Sequence, residues 1–194
     1  YWVAEGFRAD SARAWTVSAT TNVGGTGFSF DRTRSIPSSV RLVRGSAASV
    51  TRYTFGTVAY STGGQADAAN NVVHDAWTGL QWRRCEQGRV WNGSTCTGTA
   101  TDFTHEQALV HARQQSGWRM PNVKELASLV NLGVSSGASI DASAFPGVGS
   151  VNWWSSSPNV GNPTTAWVVG SIYGEVFGYA RSNNSAIRLV RASP

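Results

Sequence analysis

Histidines, cysteines and carboxylates, the side chains that most often carry chemistry, are few and scattered in this sequence. The three histidines are His74, His105 and His111. The last two lie on one predicted helix, about 120° away from sharing a face. The eleven acidic residues show no paired or metal-ligand spacing. We therefore expect no catalytic residue, no metal site and no cofactor, and interpret the histidines as solvated or helix-capping side chains.

The two cysteines, Cys85 and Cys96, lie in a segment rich in glycine, asparagine, serine and threonine. No histidine or further cysteine is close to them in the sequence, so a metal site would lack ligands. This pattern favours a disulfide, with two unpaired buried thiols as the alternative. Closing so short a loop would stabilise the fold by about 3 kcal/mol, and it implies an oxidising compartment.

The net charge of +5 comes almost wholly from arginine, since Lys124 is the only lysine. The arginines stand singly or in short pairs such as Arg83-Arg84, whereas binding to nucleic-acid phosphates usually needs clustered basic residues. We therefore expect no nucleic-acid partner, although a basic chain attracts anionic surfaces and sulfated polysaccharides weakly. No apolar run approaches the roughly 20 residues that cross a bilayer, so we expect no membrane insertion by this chain. The first residues show no signal-peptide pattern, and we expect any export signal to lie outside the chain.

Two helices are predicted to position the middle of the chain. A capping-box pattern at Thr104 and Gln107 predicts a helix from about His105 to Ser116. A second helix is predicted to begin at Asn122 and to end at Gly133. Its apolar stripe consists of Val123, Leu126, Leu129 and Val130.

Short strands are predicted on either side of these helices. The stretch from Val72 to Trp82 is typical of a hairpin, because strand-like residues flank an Asp and Thr-Gly turn. After residue 150, short aromatic segments alternate with polar turns. Helices followed by a run of antiparallel strands predict an α+β domain.

An ordered set of residues occurs twice in the chain, which predicts an internal repeat. The first set is Trp2, Ala14-Trp15, Arg32 and Arg41-Leu42-Val43-Arg44. The second set is Trp154, Ala166-Trp167, Arg181 and Arg188-Leu189-Val190-Arg191. We interpret residues 1–45 as the C-terminal part of a first module, 46–60 as a linker or leading strand, and 61–194 as a complete module. Either the chain is a fragment of a longer tandem array, or a neighbouring subunit completes the half module and builds a fibre.

The complete module contains an ordered series of motifs, namely Thr78-Gly79-Leu80-Gln81-Trp82, Cys85, Trp91-Asn92-Gly93, Cys96, Gly117-Trp118-Arg119-Met120-Pro121-Asn122, Trp154-Ser155-Ser156-Ser157 and Arg188-Leu189-Val190-Arg191. In these motifs it resembles the Lcl C-terminal domain family, which is named for a collagen-like bacterial adhesin. This resemblance implies a C-type-lectin-like fold, with two helices packed on short twisted antiparallel sheets and many loops. It also implies an extracellular or cell-surface bacterial protein, often with tandem copies and often associated with adhesion.

Candidate binding residues lie on or beside turns in the last third of the chain. They combine contact area with adaptable hydrogen bonding, as binding surfaces do. These candidates are Asn159, Asn162, Tyr173, Tyr179, Arg181, Asn183 and Asn184. Trp118, Trp154 and Trp167 are interpreted as core residues. Arg188 and Arg191 are expected on one exposed face of a strand, with either a structural or an anion-binding role.

These observations predict a non-enzymatic extracellular binding or adhesion module. Its expected partner is a macromolecular surface, either an anionic glycan or a protein, of host or bacterial origin. The alternative is a structural subunit of a bacterial surface fibre, in which a neighbouring subunit completes the half module. Both interpretations include self-association into an oligomer or a fibre.

Overall fold

The computed structural model describes residues 2–6, 13–16, 30–33, 51–56, 71–134 and 136–193. Within these ranges the chain forms short strands that precede and follow two helices along the sequence. The strands are β1 (Trp2–Gly6), β2 (Arg13–Thr16), β3 (Phe30–Thr33), β4 (Tyr53–Phe55), β5 (Val72–Asp75), β6 (Leu80–Arg83), β7 (Val90–Trp91), β8 (Cys96–Thr97), β9 (Asn152–Pro158), β10 (Thr165–Gly170), β11 (Val176–Ala180) and β12 (Val190–Ala192). The helices are α1 (His105–Arg113) and α2 (Val123–Ala127).

All strand pairs in the described residues are antiparallel, and they form four small sheets. The sheet orders are β1-β2-β3, β11-β10-β9, β12-β6-β5-β4 and β7-β8. The predicted hairpin is confirmed, because β5 pairs with β6 through a turn that ends at Gly79, where φ is +66°. The last strand, β12, pairs with β6, so the end of the chain lies beside the start of the 71–193 segment.

The two predicted helices are present but short. Both capping boxes form, with Thr104 and Gln107 at the start of α1 and Asn122 and Glu125 at the start of α2. The first helix stops at Arg113, and the second has only 5 residues, with Leu129 already in the following turn. The described part of the chain is therefore mostly β. The prediction of an α+β fold with two helices packed on the sheets is wrong, and the C-type-lectin-like label that accompanied it is left without support.

Two tryptophans that are neighbours on β9 divide the core of the 71–193 segment into two clusters. Successive side chains of a strand point to opposite faces, so Trp153 and Trp154 enter different clusters. Trp153 packs with the buried residues of α2 and β6, whereas Trp154 packs with α1 and with Trp118. Trp118 and Trp154 are buried, which confirms the prediction for both, and Trp167 is half-buried. These clusters fix β9 between the two helices.

The sheet β1-β2-β3 has the same strand order and almost the same register as the sheet β9-β10-β11. Trp2 pairs with Thr16 and Gly6 with Ala14. In the other sheet, Trp154 pairs with Val168 and Pro158 with Ala166. The pair β1-β2 and the pair β9-β10 each contain a register irregularity between the two residue pairs named. On the other side of the central strand, Ala14 pairs with Arg32, whereas Ala166 pairs with Tyr179. The register therefore matches Arg32 with Tyr179, so the predicted match of Arg32 with Arg181 is wrong. The loop after the central strand differs in length between the copies, and residue type alone did not locate that difference.

This correspondence supports the internal repeat, but the division of the chain into modules stays a prediction. Most of the range 1–45 lies outside the described residues, including the Arg-Leu-Val-Arg tetrad of the first set, Arg41-Leu42-Val43-Arg44. Of the range 46–60, residues 51–56 are described, and they contain β4, which pairs with β5. The fibre in which a neighbour completes a half module also stays a prediction.

Candidate functional site

Two turns lie at one end of the sheet β9-β10-β11, and we call them together the turn end. They are residues 159–164, which connect β9 to β10, and residues 181–184, which follow β11. The strand register brings them together, because Thr165 pairs with Ala180 and Ala166 with Pro158. Arg181 completes the link, since its backbone N–H donates to the carbonyl oxygen of Thr164 at 3.0 Å.

Two of the candidate residues, Asn159 and Asn162, build the first of these turns. The amide nitrogen Nδ2 of Asn159 donates to Thr165 Oγ1 at 3.0 Å, and its Oδ1 accepts from the backbone N–H of Gly161 at 3.1 Å. Asn162 Oδ1 accepts from the hydroxyl and the backbone N–H of Thr164, at 2.7 and 3.2 Å. Asparagine side chains commonly stabilise turns in this way. Both residues therefore shape the turn end, through the amide nitrogen and oxygen of Asn159 and the amide oxygen of Asn162.

Arg181 and Tyr179 anchor the second turn to the sheet. Arg181 Nε donates to the carbonyl oxygen of Thr165 at 3.2 Å. The ring of Tyr179 is half-buried, with its centroid 5.6 Å from that of Trp154. These two side chains hold the turn in position, and each keeps part of its surface exposed.

Asn183 and Asn184 stand at the exposed tip of the second turn. Within the described residues, neither side chain makes a hydrogen bond, and both are exposed. Val160, at the tip of the neighbouring turn, is 93% exposed. The amides of Asn183 and Asn184 and the side chain of Val160 are therefore exposed to a partner.

Tyr173 lies at the opposite end of the same sheet, in the turn between β10 and β11. It is 42% exposed. Its neighbour Ile172 accepts a hydrogen bond from Ser139 Oγ at 2.6 Å, so this end packs against the segment that follows α2. Five of the seven candidate residues thus lie in the turn end. Tyr179 lies beside it on β11, and Tyr173 lies at the other end of the sheet.

A frame of buried hydrogen bonds connects the turn end to the start of α1. Phe103 and Ser185 exchange both backbone hydrogen bonds, each at 2.9 Å. The backbone N–H of His105 donates to the carbonyl oxygen of Arg181 at 3.0 Å. Trp154 Nε1 donates to the carbonyl oxygen of Phe103 at 2.8 Å. These hydrogen bonds therefore hold the backbone of the turn end in a fixed position.

His105 is part of this frame, which corrects its interpretation as a solvated or capping residue. It is only 2% exposed, and its ring lies edge-on to that of Trp154. Its Nε2 is 3.0 Å from the carbonyl oxygen of Ser155 and must donate, while Nδ1 has no hydrogen-bond partner within the described residues. Burial lowers the pKa of His105 below its ordinary value, and the bond to Ser155 opposes that shift only in part.

We expect the stability of the protein to fall in mild acid because of His105. Its pKa is lowered in the folded state, so stability is constant above the unfolded value of about 6.5 and declines as pH falls below it. The check is the free energy of unfolding in urea between about pH 8 and pH 5, for the wild type and for His105→Phe. The variant should lose the hydrogen bond to Ser155 but show a shallower decline. An equal decline in both proteins would contradict this role.

A groove beside the turn end was missed by the sequence analysis. It has a volume of about 500 Å³. It is lined by Asp102, Phe103, Glu106, Gln107, Val110, His111 and Gln114. The available signal was Val110, an apolar residue on the polar side of α1, which is 43% exposed. The predicted helix did not connect Val110 with Asp102 and Phe103, which precede the N-cap residue. The pairing of Phe103 with Ser185 fixes where that segment lies.

The predicted disulfide between Cys85 and Cys96 is confirmed, with 5.5 Å between the two Cα atoms. The expected exposure of Arg188 is wrong, because its side chain is buried in the core of the 71–193 segment. The described ranges contain no cluster of three or more histidine, cysteine or acidic side chains that could hold a metal ion. They also contain no helix with the length and apolar character that spanning a bilayer requires.

Comparison with known proteins gives one match. A model of the Lcl C-terminal domain family matches residues 71–191, which include the turn end, α1 and the disulfide. No curated protein and no solved structure matches the chain.

Proposed function

Because the chain belongs to the Lcl C-terminal domain family, we propose that residues 71–193 form a non-enzymatic extracellular module that binds a macromolecular surface through the turn end. Membership of this family indicates a surface-associated protein domain. Within that general class, we assign to this domain the attachment to a partner surface. The buried disulfide supports an oxidising location outside the cytoplasm.

The observation that carries this proposal is that five candidate residues lie together in the turn end, with Tyr179 beside them on β11. Binding residues often lie on loops held by a rigid scaffold. Here Asn159 and Arg181 fix the turns, while Asn183 and Asn184 remain exposed. When a partner binds these amides, the protein loses little conformational freedom, because hydrogen bonds already hold the two turns in place.

A protein surface fits the turn end better than an anionic glycan. The adjoining groove carries the carboxylates of Asp102 and Glu106, which repel sulfate and carboxylate groups. Arg181 is the only basic side chain within residues 159–164 and 181–184, and its Nε is already bonded to Thr165. The overall positive charge of the chain therefore does not concentrate on this surface.

The experiment compares the double variant Asn183→Ala/Asn184→Ala with Tyr173→Ala, an exposed candidate at the other end of the sheet. Each protein is applied to arrays of purified surface proteins and glycans and to a heparin column without calcium. We expect binding to at least one immobilised protein, with a loss of about tenfold in the double variant, equivalent to about 1.4 kcal/mol. Tyr173→Ala should keep its affinity, and all three proteins should leave heparin at low salt.

Two results would count against the proposal. One is an equal loss of affinity in Tyr173→Ala, which would show that the turn end has no special role. The other is an unchanged affinity in the double variant. Both variants change exposed side chains, so their thermal unfolding should match that of the wild type and verify the fold.

A further inference from the structure

The groove along α1 is lined by both apolar and charged side chains. Phe103 and His111 lie against each other, with ring centroids 4.9 Å apart, and Val110 extends the apolar surface. The volume of about 500 Å³ is within the range of natural ligand sites, about 300–1,000 Å³. Gln107 is fixed by the capping box, since its Oε1 accepts from the backbone N–H of Thr104 at 3.0 Å. The groove is therefore preformed on an ordered helix.

Its charge is opposite to that of the whole chain. Asp102 and Glu106 both line the groove and are exposed, and within the described residues neither carboxylate forms an ion pair. Burial, together with the nearby positive charge of Arg83, lowers the pKa of His111, so this ring is neutral at neutral pH. The groove thus carries negative charge on a protein with a net charge of +5.

An arginine side chain matches this combination of groups. Its guanidinium forms paired hydrogen bonds with carboxylates, and its aliphatic stem packs on apolar surface such as Val110. The cation also gains from contact with an aromatic ring, and Phe103 lines the groove. Anionic ligands are disfavoured by the same two carboxylates.

We infer that the α1 groove binds an extended, arginine-bearing segment of a protein partner. The inference rests on the proposed function, because it assigns a partner chemistry to the surface next to the turn end. The start of α1 is bonded to Arg181, and Phe103 is bonded to Ser185. A segment in the groove therefore continues directly onto the turn that carries Asn183 and Asn184.

The test uses the whole chain and a peptide in which arginine alternates with leucine, with affinities measured by titration calorimetry. The control peptide has citrulline at each arginine position, which keeps the shape and removes the charge. We expect the citrulline peptide to bind about tenfold more weakly or worse. Asp102→Asn/Glu106→Gln should weaken binding of the arginine peptide by about tenfold, and binding should also weaken as salt is raised.

Arg113→Gln is the matched control variant, because Arg113 is exposed on the same helix but does not line the groove. If binding reflected net charge alone, this variant would strengthen it as much as Glu106→Gln weakens it. We expect less than a twofold change, about 0.4 kcal/mol. Equal binding of the two peptides, or equal and opposite effects of Arg113→Gln and Glu106→Gln, would overturn the inference.

These results separate the inference from the proposed function. Failure of the arginine peptide, with surface binding still dependent on Asn183 and Asn184, overturns the inference alone. Binding of the peptide in the groove, with surface binding insensitive to those two residues, supports the inference and overturns the role of the turn end.

Discussion

Replacement of Arg188 by methionine is expected to lower the free energy of unfolding by about 3–5 kcal/mol. The side chain is only 1% exposed, and its Nη1 donates to the carbonyl oxygens of Arg83 and Arg84, at 3.0 and 2.5 Å. Its Nη2 lies 3.7 Å from Oε1 of Glu86, which is 2% exposed. Methionine fills much of the space but leaves two carbonyl oxygens without their donor. It also leaves the buried carboxylate of Glu86 with Arg89, 3.3 Å away, as its remaining cation. Urea unfolding at pH 7 measures the loss.

A double variant tests whether the buried charge causes most of this loss. In Glu86→Gln/Arg188→Met the carboxylate is neutral, while the amide oxygen still accepts from Trp153 Nε1, a bond of 2.9 Å in the wild type. We expect the double variant to be more stable than Arg188→Met alone, because a buried charge that has lost one of its two cations costs more than a neutral side chain. Purely additive losses would contradict this explanation.

Arg191 provides the control within the same tetrad. Its Nε donates to Gln81 Oε1 at 2.7 Å, and the side chain is half-buried on β12. Solvent reaches this position, so we expect Arg191→Met to cost about 1 kcal/mol, much less than the change at Arg188. A comparable loss at both positions would mean that burial is not the decisive difference.

The contrast between these arginines shows where sequence patterns stop being informative. Alternation along a strand predicted that Arg188 and Arg191 share an exposed face. However, β12 begins only at Val190, and residues 185–190 are all buried. The partner of Arg188 is Glu86, which is distant in sequence, and no local pattern connects the two. Burial of a charge depends on tertiary contacts, so periodicity alone could not predict it.

Local interactions were predicted well because they depend on a few neighbouring residues. Both capping boxes, at Thr104 and Asn122, and the hairpin before Cys85 are present in the structure. The length of α2 was not predicted, because its apolar stripe continues through Leu129 although the helix ends at Ala127. Leu129 is buried although it lies in a turn, so its burial did not require a longer helix.

The candidate site was predicted as a set of turn residues, and the structure divides that set by role. Asn159 and Asn162 stabilise their own turn, whereas Asn183 and Asn184 face solvent. Sequence does not distinguish these roles, because asparagine is favoured in turns for both reasons. The separate location of Tyr173 follows from the hairpin between β10 and β11, and the strand order was needed to see it.

Removal of the disulfide, in the variant Cys85→Ser/Cys96→Ser, is expected to lower the free energy of unfolding by about 2–4 kcal/mol. The bond closes a loop that carries Trp91, which packs with both cysteines in a small cluster of its own. Without the bond, the unfolded chain gains conformational freedom, while the folded loop loses few contacts. Chemical unfolding of the variant, and of the wild type with its disulfide reduced, should give the same lower midpoint. An unchanged midpoint after reduction would contradict this contribution.

Arg89 restrains the same loop as the disulfide. Its Nη2 donates to the carbonyl oxygen of Cys96 at 2.6 Å, and its Nη1 donates to the carbonyl oxygen of Gly147. The guanidinium thus ties the cysteine segment to the chain after Phe145 without any covalent bond. We expect Arg89→Ala to cost more in the variant without cysteines than in the wild type, because each crosslink restrains the same loop. Equal costs in the two backgrounds would mean that the disulfide and Arg89 stabilise the fold independently.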